Sequence, residues 1–226
     1  LVFILFKRKV YREKAVSNPK EFKAMDETRP AFEPLSVISL RLAKIMINLS
    51  QAKNEILDPF CGKATILQEA LLMGLNTVGV DKEIQDAEKN LVWLGDNYKG
   101  KWKLINGDAA KLSSLVESVE AVATEPYMGP YYKKMPAKDE VLKVAKNLER
   151  FYYEFFLQAN QVLNKKGKIA IVIPKLRYFN GSVELNIDNI LRNTGFKISV
   201  LDRGVKFPII SNGRFLDRMI YVFEKE

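Results

Sequence analysis

Two rhythms run through the apolar positions of this chain. Over Ser36–Ser50, Ile38, Leu42, Ile45, Met46 and Leu49 recur at helical spacing, and Ser36 stands where a cap would, so an amphipathic helix is predicted there. From Glu55 onward, short apolar runs alternate with longer helix-periodic segments across glycine-containing turns. The pattern predicts strands at Glu55–Asp58, Asn76–Asp81, Trp102–Ile105, Glu120–Thr124 and Lys168–Ile173. Between them it predicts helices at Ala64–Met73, Glu83–Asn97, Lys138–Leu163 and Ile187–Asn193. Strands alternating with helices imply a mostly parallel sheet covered on both faces, because parallel strands need crossovers. Two strands, Lys197–Asp202 and Leu216–Phe223, end the chain with no helix between them and are expected to pair antiparallel. The fold expected is α/β and doubly wound: a mostly parallel seven-stranded sheet ending in an antiparallel hairpin.

Upstream of this pattern, Leu1–Val10 reads as a strand running into a basic stretch. Lys7–Lys14 holds five Lys/Arg and one Glu, which suits either a solvated linker or a nucleic-acid contact. Pro19, Pro30 and Pro34 then mark an extended connector without apolar period. The organisation expected is an N-terminal strand and connector over residues 1–35 and one domain over 36–226. The aromatic run Phe151–Phe156 sits inside a long predicted helix and is expected in the core.

Composition narrows the chemistry. At 226 residues, 47% hydrophobic, the chain can build one large domain or at most two small ones. It has no histidine, so a Ser-His-Asp triad, a Cys-His pair and a histidine metal site are all excluded. Acid–base work falls to carboxylates, Lys, Tyr or backbone. The single cysteine, Cys61, excludes a disulfide framework and a cysteine-rich zinc site, and fits a reducing compartment such as the cytoplasm. With 36 Lys+Arg against 27 Asp+Glu, the net charge of +9 favours a polyanionic partner, nucleic acid first. The apolar start, Leu1–Phe6, is far short of the roughly 20 residues of a membrane span. Lys7, Arg8 and Lys9 follow it, the reverse of a signal peptide's order.

In a doubly wound sheet, ligands bind beyond the carboxyl ends of the strands. Four successive predicted strand ends carry polar or special residues. The first is Asp58-Pro59-Phe60-Cys61-Gly62-Lys63-Ala64-Thr65, a strand-to-helix turn with Gly62 where backbone must approach a ligand. The second is Asp81, about 20 residues on, where a carboxylate can take both hydroxyls of a ribose. The third is Gly107-Asp108-Ala109 and the fourth Thr124-Glu125-Pro126-Tyr127. A dinucleotide loop would carry G-x-G-x-x-G, and here Lys63 and Ala64 break the glycine run. Two carboxylates at successive strand ends point instead to an adenosine held between them.

That spacing resembles a Rossmann-like class I S-adenosylmethionine-dependent methyltransferase. Asp58-Pro-Phe-Cys-Gly with Thr65-Ile-Leu-Gln-Glu-Ala70 resembles the first motif of RNA and DNA amino-methyltransferases. Arg29-Pro-Ala-Phe-Glu-Pro-Leu-Ser36, Leu40-Arg-Leu-Ala-Lys44 and Ile47-Asn-Leu-Ser50 resemble the stretch before the core in the tRNA guanosine-10 N2-methyltransferase family, which has archaeal and eukaryotic members. The resemblance implies that Asp58, Phe60 and Gly62 line the methionine and ribose end of S-adenosylmethionine. Asp81 would hold the ribose, and Asp108 with Ala109 the adenine. Pro59, Cys61, Thr65 and Lys82 complete the implied cofactor set. Each position also has a plainer reading: Phe60 as core, Cys61 as a small packed residue, Asp108 as the cap of a short helix.

Thr124-Glu125-Pro126-Tyr127 occupies the place where amino-methyltransferases carry Asp or Asn, Pro, Pro and an aromatic. An exocyclic base amine is a poor nucleophile because its lone pair is delocalised into the ring. Acceptors around the NH2 draw it out of plane and stabilise the charge that develops in methyl transfer, while an aromatic ring stacks on the base. Pro126 and Tyr127 match the pattern. Thr124 and Glu125 are expected as acceptors for the amine, with Tyr127 as the stacker. The carboxylate arrives one residue late, as Glu125, and alternatively suits the N1 and N2 hydrogens of guanine. The plainer reading is a turn built by Pro126 and Gly129-Pro130. Around this mouth Tyr131, Tyr132, Lys133 and Lys134 suit either a solvated loop or an RNA contact, with aromatics for bases and cations for phosphates. Arg214, in the Ser211-Asn-Gly-Arg loop, and Arg29 and Phe32 of the leading word complete the candidate substrate set.

The activity implied is methyl transfer from S-adenosylmethionine to guanine N2 in tRNA, at position 10, without a metal or a membrane. An amino-methyltransferase acting on another RNA or DNA base, and a catalytically silent module of the same fold that binds RNA or a partner, are the rival readings. The family also carries an N-terminal THUMP domain that grips tRNA, and eukaryotic relatives use a small activator subunit. Nothing before residue 36 is large enough to be a THUMP domain. The chain opens on Leu1, so a preceding segment or a partner is expected to dock the tRNA.

Overall fold

In the computed structural model the described residues are 24–25, 27–31, 38–96, 98–199 and 215–226, with the backbone alone of Phe3–Phe6, Lys9–Arg12 and Phe207–Ser211. The expected single strand over Leu1–Val10 is instead a hairpin of β1 (Phe3–Phe6) and β2 (Lys9–Arg12), paired antiparallel as a sheet of its own. Val10 and Tyr11 are strand-favouring residues, so the basic run does not interrupt the extended pattern.

The first long helix, α1 (Leu40–Ser50), starts later than the periodicity suggested. Its cap is Ser39, whose hydroxyl accepts from the Leu42 amide at 3.3 Å. Ser36, the cap expected from sequence, lies outside the described residues. Leu40, Leu42, Ala43, Met46 and Ile47 face the core, while Ile45 turns outward.

The main sheet follows in alternation with helices. Its elements are β3 (Glu55–Asp58), α2 (Thr65–Leu72), β4 (Asn76–Asp81), α3 (Gln85–Trp93), β5 (Trp102–Asn106), a 3-10 turn (Ala109–Lys111) leading into α4 (Leu112–Leu115), β6 (Val119–Thr124), α5 (Lys138–Val162) and β7 (Leu163–Tyr178). After these come β8 (Gly181–Glu184), α6 (Ile187–Leu191), β9 (Phe196–Ile198), β10 (Phe207–Ser211) and β11 (Leu216–Lys225). The α3 helix ends before its predicted limit because Gly95 takes a left-handed conformation at φ 64°.

Strand order is β10-β11-β7-β6-β3-β4-β5, with β3, β4, β5, β6 and β7 mutually parallel and β11 antiparallel to β7. The doubly wound sheet is as expected, and six of these seven strands are predicted ones. The seventh predicted strand, Lys197–Asp202, corresponds to the short β9 (its residues from 200 on lie outside the described ones), while β8 and β10 were not predicted. β9 pairs with β11 in the antiparallel sense predicted for the two final strands, Phe223 opposite Ile198, and β10 pairs with β11 as well. β11 therefore lies inside the sheet, against β7. β7 also continues past Ile173, where the sequence reading stopped, and folds back into β8 through Asn180 at φ 65°. Pro174 does not end it because β11 still pairs alongside, up to Leu176 opposite Leu216.

Ile56 and Leu57 of β3 and Val122 and Ala123 of β6 are fully buried, as strands covered on both faces must be. The aromatic run is core, as expected: Tyr152, Phe155 and Phe156 are buried, and Phe156 meets Phe196 and Phe223 edge-on at 5.3 and 5.1 Å. Among the described residues no helix is long and apolar enough to cross a membrane. Sheet order reverses between β3 and β6, so their carboxyl ends, Asp58 and Thr124, sit side by side at the switch point where such sheets bind ligands.

Candidate active site

The turn from β3 into α2 is built on two left-handed residues, Gly62 at φ 49° and Ala64 at φ 64°. A Cβ at Gly62 would meet no atom within 4 Å, so the glycine presents its Cα side, without a side chain, to open space. The turn is pinned to β4. The Cys61 amide donates to the Val80 carbonyl at 3.1 Å, and the Gly62 amide donates to Asp81 Oδ2 at 2.8 Å. Asp81 Oδ1 accepts from the Glu83 amide at 3.2 Å.

Behind this turn lies a brace that the sequence reading did not include. Buried Asn90 of α3 donates to the carbonyls of Lys63 and Ala31 and accepts from the Ala31 amide. Arg29, 4% exposed, donates through Nη1 to Thr65 Oγ1 at 2.7 Å and to Gln68 at 3.3 Å. The Arg29–Ala31 stretch of the expected connector is thus packed onto α2 and α3. Arg29, expected near substrate, and Thr65, expected near cofactor, are joined to each other at the start of α2.

Two open clefts meet at Gly62 and Lys63. One, of about 340 Å³, is lined by residues that include Asp58, Phe60, Cys61, Gly62, Thr65 and Glu125. The other, of about 670 Å³, is lined by Gly62, Lys63, Asp81, Glu83, Gln85 and Asp86. Phe60 has both of its suggested roles: it lines the first cleft and packs on Phe151 and Phe155 of α5 at 5.5 and 5.3 Å. Cys61 and Pro59 are buried, and burial pushes the Cys61 thiol far up, leaving it a packed neutral group. Asp108 caps the 3-10 turn through the Ala110 amide at 3.0 Å and pairs with Lys82 at 2.9 Å, which together hold its carboxyl below the usual range. The capping role read from sequence is present, with the Lys82 pair beside it; Ala109 next to it is buried. Among the described residues no group of three or more His, Cys, Asp or Glu is placed to hold a metal ion.

Asp58 is 2% exposed, and its Oδ1 accepts from the Thr124 hydroxyl at 2.6 Å and the Phe60 amide at 3.2 Å. Burial, against those hydrogen bonds, pushes its carboxyl up to about 7, with the charges of Asp81 and Glu125 adding to the rise. The unfolded chain releases this proton near the ordinary value of about 3.9. Between about pH 4 and 7 the unfolded state therefore binds fewer protons than the folded state, so stability falls as pH rises through that window and levels off above it. Asp58→Asn is expected to remove this slope and to exceed the parent in urea midpoint at pH 8. Parallel pH profiles for the two proteins would show that Asp58 is ionised throughout.

At the fourth strand end, Thr124 is fully buried with its hydroxyl turned toward Asp58, and Glu125 is the first residue beyond β6. Glu125 lines the same cleft as Asp58, and its Oε1 accepts from Arg218 Nε of β11. Pro126 is buried and Tyr127 is 58% exposed. The Tyr127 carbonyl accepts from the buried Tyr152 hydroxyl at 3.1 Å, which fixes the backbone beneath the ring. Tyr131, Lys133 and Lys134 are exposed in the following loop, and Tyr132 is half-buried. Phe32 and Arg214 lie outside the described residues. Arg218 and Tyr152 were not singled out from sequence. The available signal for Arg218 was a charged pair, Asp217-Arg218, inside an otherwise apolar final strand.

Comparisons with known proteins bear on the family and the fold. The chain is 36% identical over 169 residues to the tRNA (guanine(10)-N2)-dimethyltransferase of Methanothermobacter thermautotrophicus, covering 72% of this chain and 46% of that protein. It is 35% identical over 161 residues to the protein of the same name from Pyrococcus abyssi, covering 69% and 44%. The chain thus spans about half the length of the curated relatives it matches. Among solved structures, NSun6 from Pyrococcus horikoshii, determined with SFG, superposes with a TM-score of 0.61 at 16% identity, covering 93% of this chain and 56% of that one, a likeness of fold. Residues 27–195 match the UPF0020 family model, described as RMKL-like, methyltransferase domain. With three quarters of its length inside that match, the chain belongs to the RMKL-like methyltransferase domain family.

Proposed function

We propose that this domain transfers a methyl group from S-adenosylmethionine to the exocyclic N2 amine of a guanosine in tRNA, at position 10. The observation that carries the reading is the opening of Glu125 into the same cleft as Asp58 and the Gly62 turn. A base-amine acceptor and a nucleoside-binding turn share one mouth. The residues suit the cofactor: the Gly62 turn leaves backbone free to approach it, and Asp81 stands where ribose hydroxyls would be taken. Asp58, Phe60 and Gly62 would hold its methionine end, and Asp108 with Ala109 its adenine. When bound, it supplies an electrophilic methyl group on a sulfonium.

The chain's own residues do the rest. The two Glu125 oxygens accept the N1 and N2 hydrogens of guanine and set the amine toward the cleft. Tyr127, its backbone held by Tyr152, stacks on the base. Glu125 or solvent takes the departing amine proton. Thr124 does not reach the amine in this reading; its hydroxyl orders Asp58. Lys133, Lys134 and Tyr131 meet the flanking strand, and a THUMP domain or a small activator subunit holds the tRNA body in the cytoplasm. The test is incubation with labelled S-adenosylmethionine and tRNA transcripts, followed by nucleoside analysis. N2-methylguanosine is the expected product. Methyl on adenine or cytosine alone, or none at all with an intact cofactor site, would overturn the reading.

A further inference from the structure

We propose that Arg218 reads O6 of the target guanine and, with Glu125, forms a donor-acceptor-acceptor row that selects guanine over adenine and cytosine; this rests on the N2-methylation reading above.

Placement is the first ground. Arg218 of β11 stands opposite Pro174 of β7, further along that strand than Ile171, which is level with Thr124 at the end of β6. Arg218 therefore sits beyond the carboxyl end of β6, where Glu125 emerges. Both side chains are largely enclosed, at 16% and 12% exposure, so the pair is held in place and not left solvated.

The mode of pairing is the second ground. Next to it, Arg177 and Asp217 form a closed fork: Nε donates to Oδ2 at 3.1 Å and Nη2 to Oδ1 at 2.6 Å. A pair serving only to tie β11 to the sheet would be expected to close in the same way. Arg218 instead donates to Glu125 through Nε alone, and among the described residues its Nη nitrogens have no partner. Glu125 Oε2 has none there either. A guanidinium carries five N–H donors and a carboxylate about four acceptor sites, so both groups keep capacity for a ligand.

The spare capacity matches one base. Guanine's Watson–Crick edge presents an acceptor at O6 and donors at N1 and N2. Since Arg218 sits at the Oε1 end of Glu125, the order across the pair is Arg218 donor, Oε1 acceptor, Oε2 acceptor, which meets O6, N1–H and N2–H in turn. Adenine opposes it with a donor at N6 and an acceptor at N1. Cytosine opposes it at every position. In an enclosed site such mismatches leave polar groups unpaired, which discriminates more strongly than a missing apolar contact.

The experiment compares guanosine with 6-thioguanosine at the target position of otherwise identical tRNA, because sulfur is a weak acceptor. The parent is expected to favour guanosine in kcat/KM by about tenfold, the scale of one hydrogen bond from a charged donor. Arg218→Met is expected to bring the ratio within about twofold of unity, as one lost bond requires. Arg218→Lys keeps a cation beside Glu125 without the fork, and serves where the Met variant folds poorly; it should lose the preference too. If Arg218 only holds Glu125 in place, both substrates slow equally and the parent's ratio persists in the variants, which overturns the proposal. Competition binding of the same two RNAs reads the ratio without turnover. Absent methyl transfer to N2 thus counts against the functional reading, while an unchanged binding ratio counts against Arg218.

Discussion

Asp81→Ala is expected to weaken S-adenosylmethionine binding by about a hundredfold or more, two lost hydrogen bonds to a charged acceptor being worth about 1.5–3 kcal/mol each. The carboxylate has two tasks that alanine removes together. It faces the larger cleft, where the ribose hydroxyls would be taken, and it accepts from the Gly62 and Glu83 amides at 2.8 and 3.2 Å. Without it the Gly62 turn keeps only the Cys61–Val80 bond to β4, and the ligand loses its anchor. Asp81→Asn keeps one acceptor and is expected to fall between the two. Calorimetric titration with S-adenosylmethionine checks both variants. Undiminished binding in Asp81→Ala would remove the cofactor site from this face of the sheet.

Glu125→Gln is expected to lower methyl transfer to tRNA by about 10²–10³ while leaving cofactor affinity unchanged, the range found when one positioned charge-stabilising group is lost from a site. The amide keeps the shape and one acceptor but offers a donor where guanine already presents N1–H and N2–H. It also leaves Arg218 beside a neutral partner in a largely enclosed position. Glutamine is therefore the better probe than alanine, which would strand the cation outright and cost about 3–5 kcal/mol of stability. Single-turnover rates together with a cofactor titration separate the two effects. A variant that transfers methyl groups at the parent rate would assign the amine to some other acceptor.

Much of the site was legible before any tertiary contact was known. The period switch after Ser50, the strand-to-helix turn at Asp58–Thr65 and the acidic strand ends Asp81 and Asp108 are local patterns, set by which residues tolerate a strand, a left-handed turn or a cap. They place polar groups at the carboxyl ends of parallel strands, where backbone ends and side chains converge. The core role of the Phe151–Phe156 run was readable for the same reason, since helical period alone turns Tyr152, Phe155 and Phe156 to one side.

Partnerships across the sheet were not legible, because they depend on strand order. Thr124 and Asp58 are 66 positions apart and meet because β3 and β6 are neighbours at the switch point. Glu125 and Arg218 are 93 apart and meet because β11 enters antiparallel beside β7, inside the sheet, with β9 and β10 beyond it. The same limit applies to Arg29, a cation in a substrate-like word whose guanidinium the packing turns onto Thr65 and Gln68. Sequence alone determined that this is a doubly wound sheet with a glycine-containing turn after its first strand and carboxylates at its strand ends, since short-range sterics and hydrophobic period decide those things. Tertiary structure alone decided which way Thr124 faces, what Arg29 holds and which cation stands beside Glu125, since a hydrogen bond between distant residues exists only once the strands that carry them are ordered.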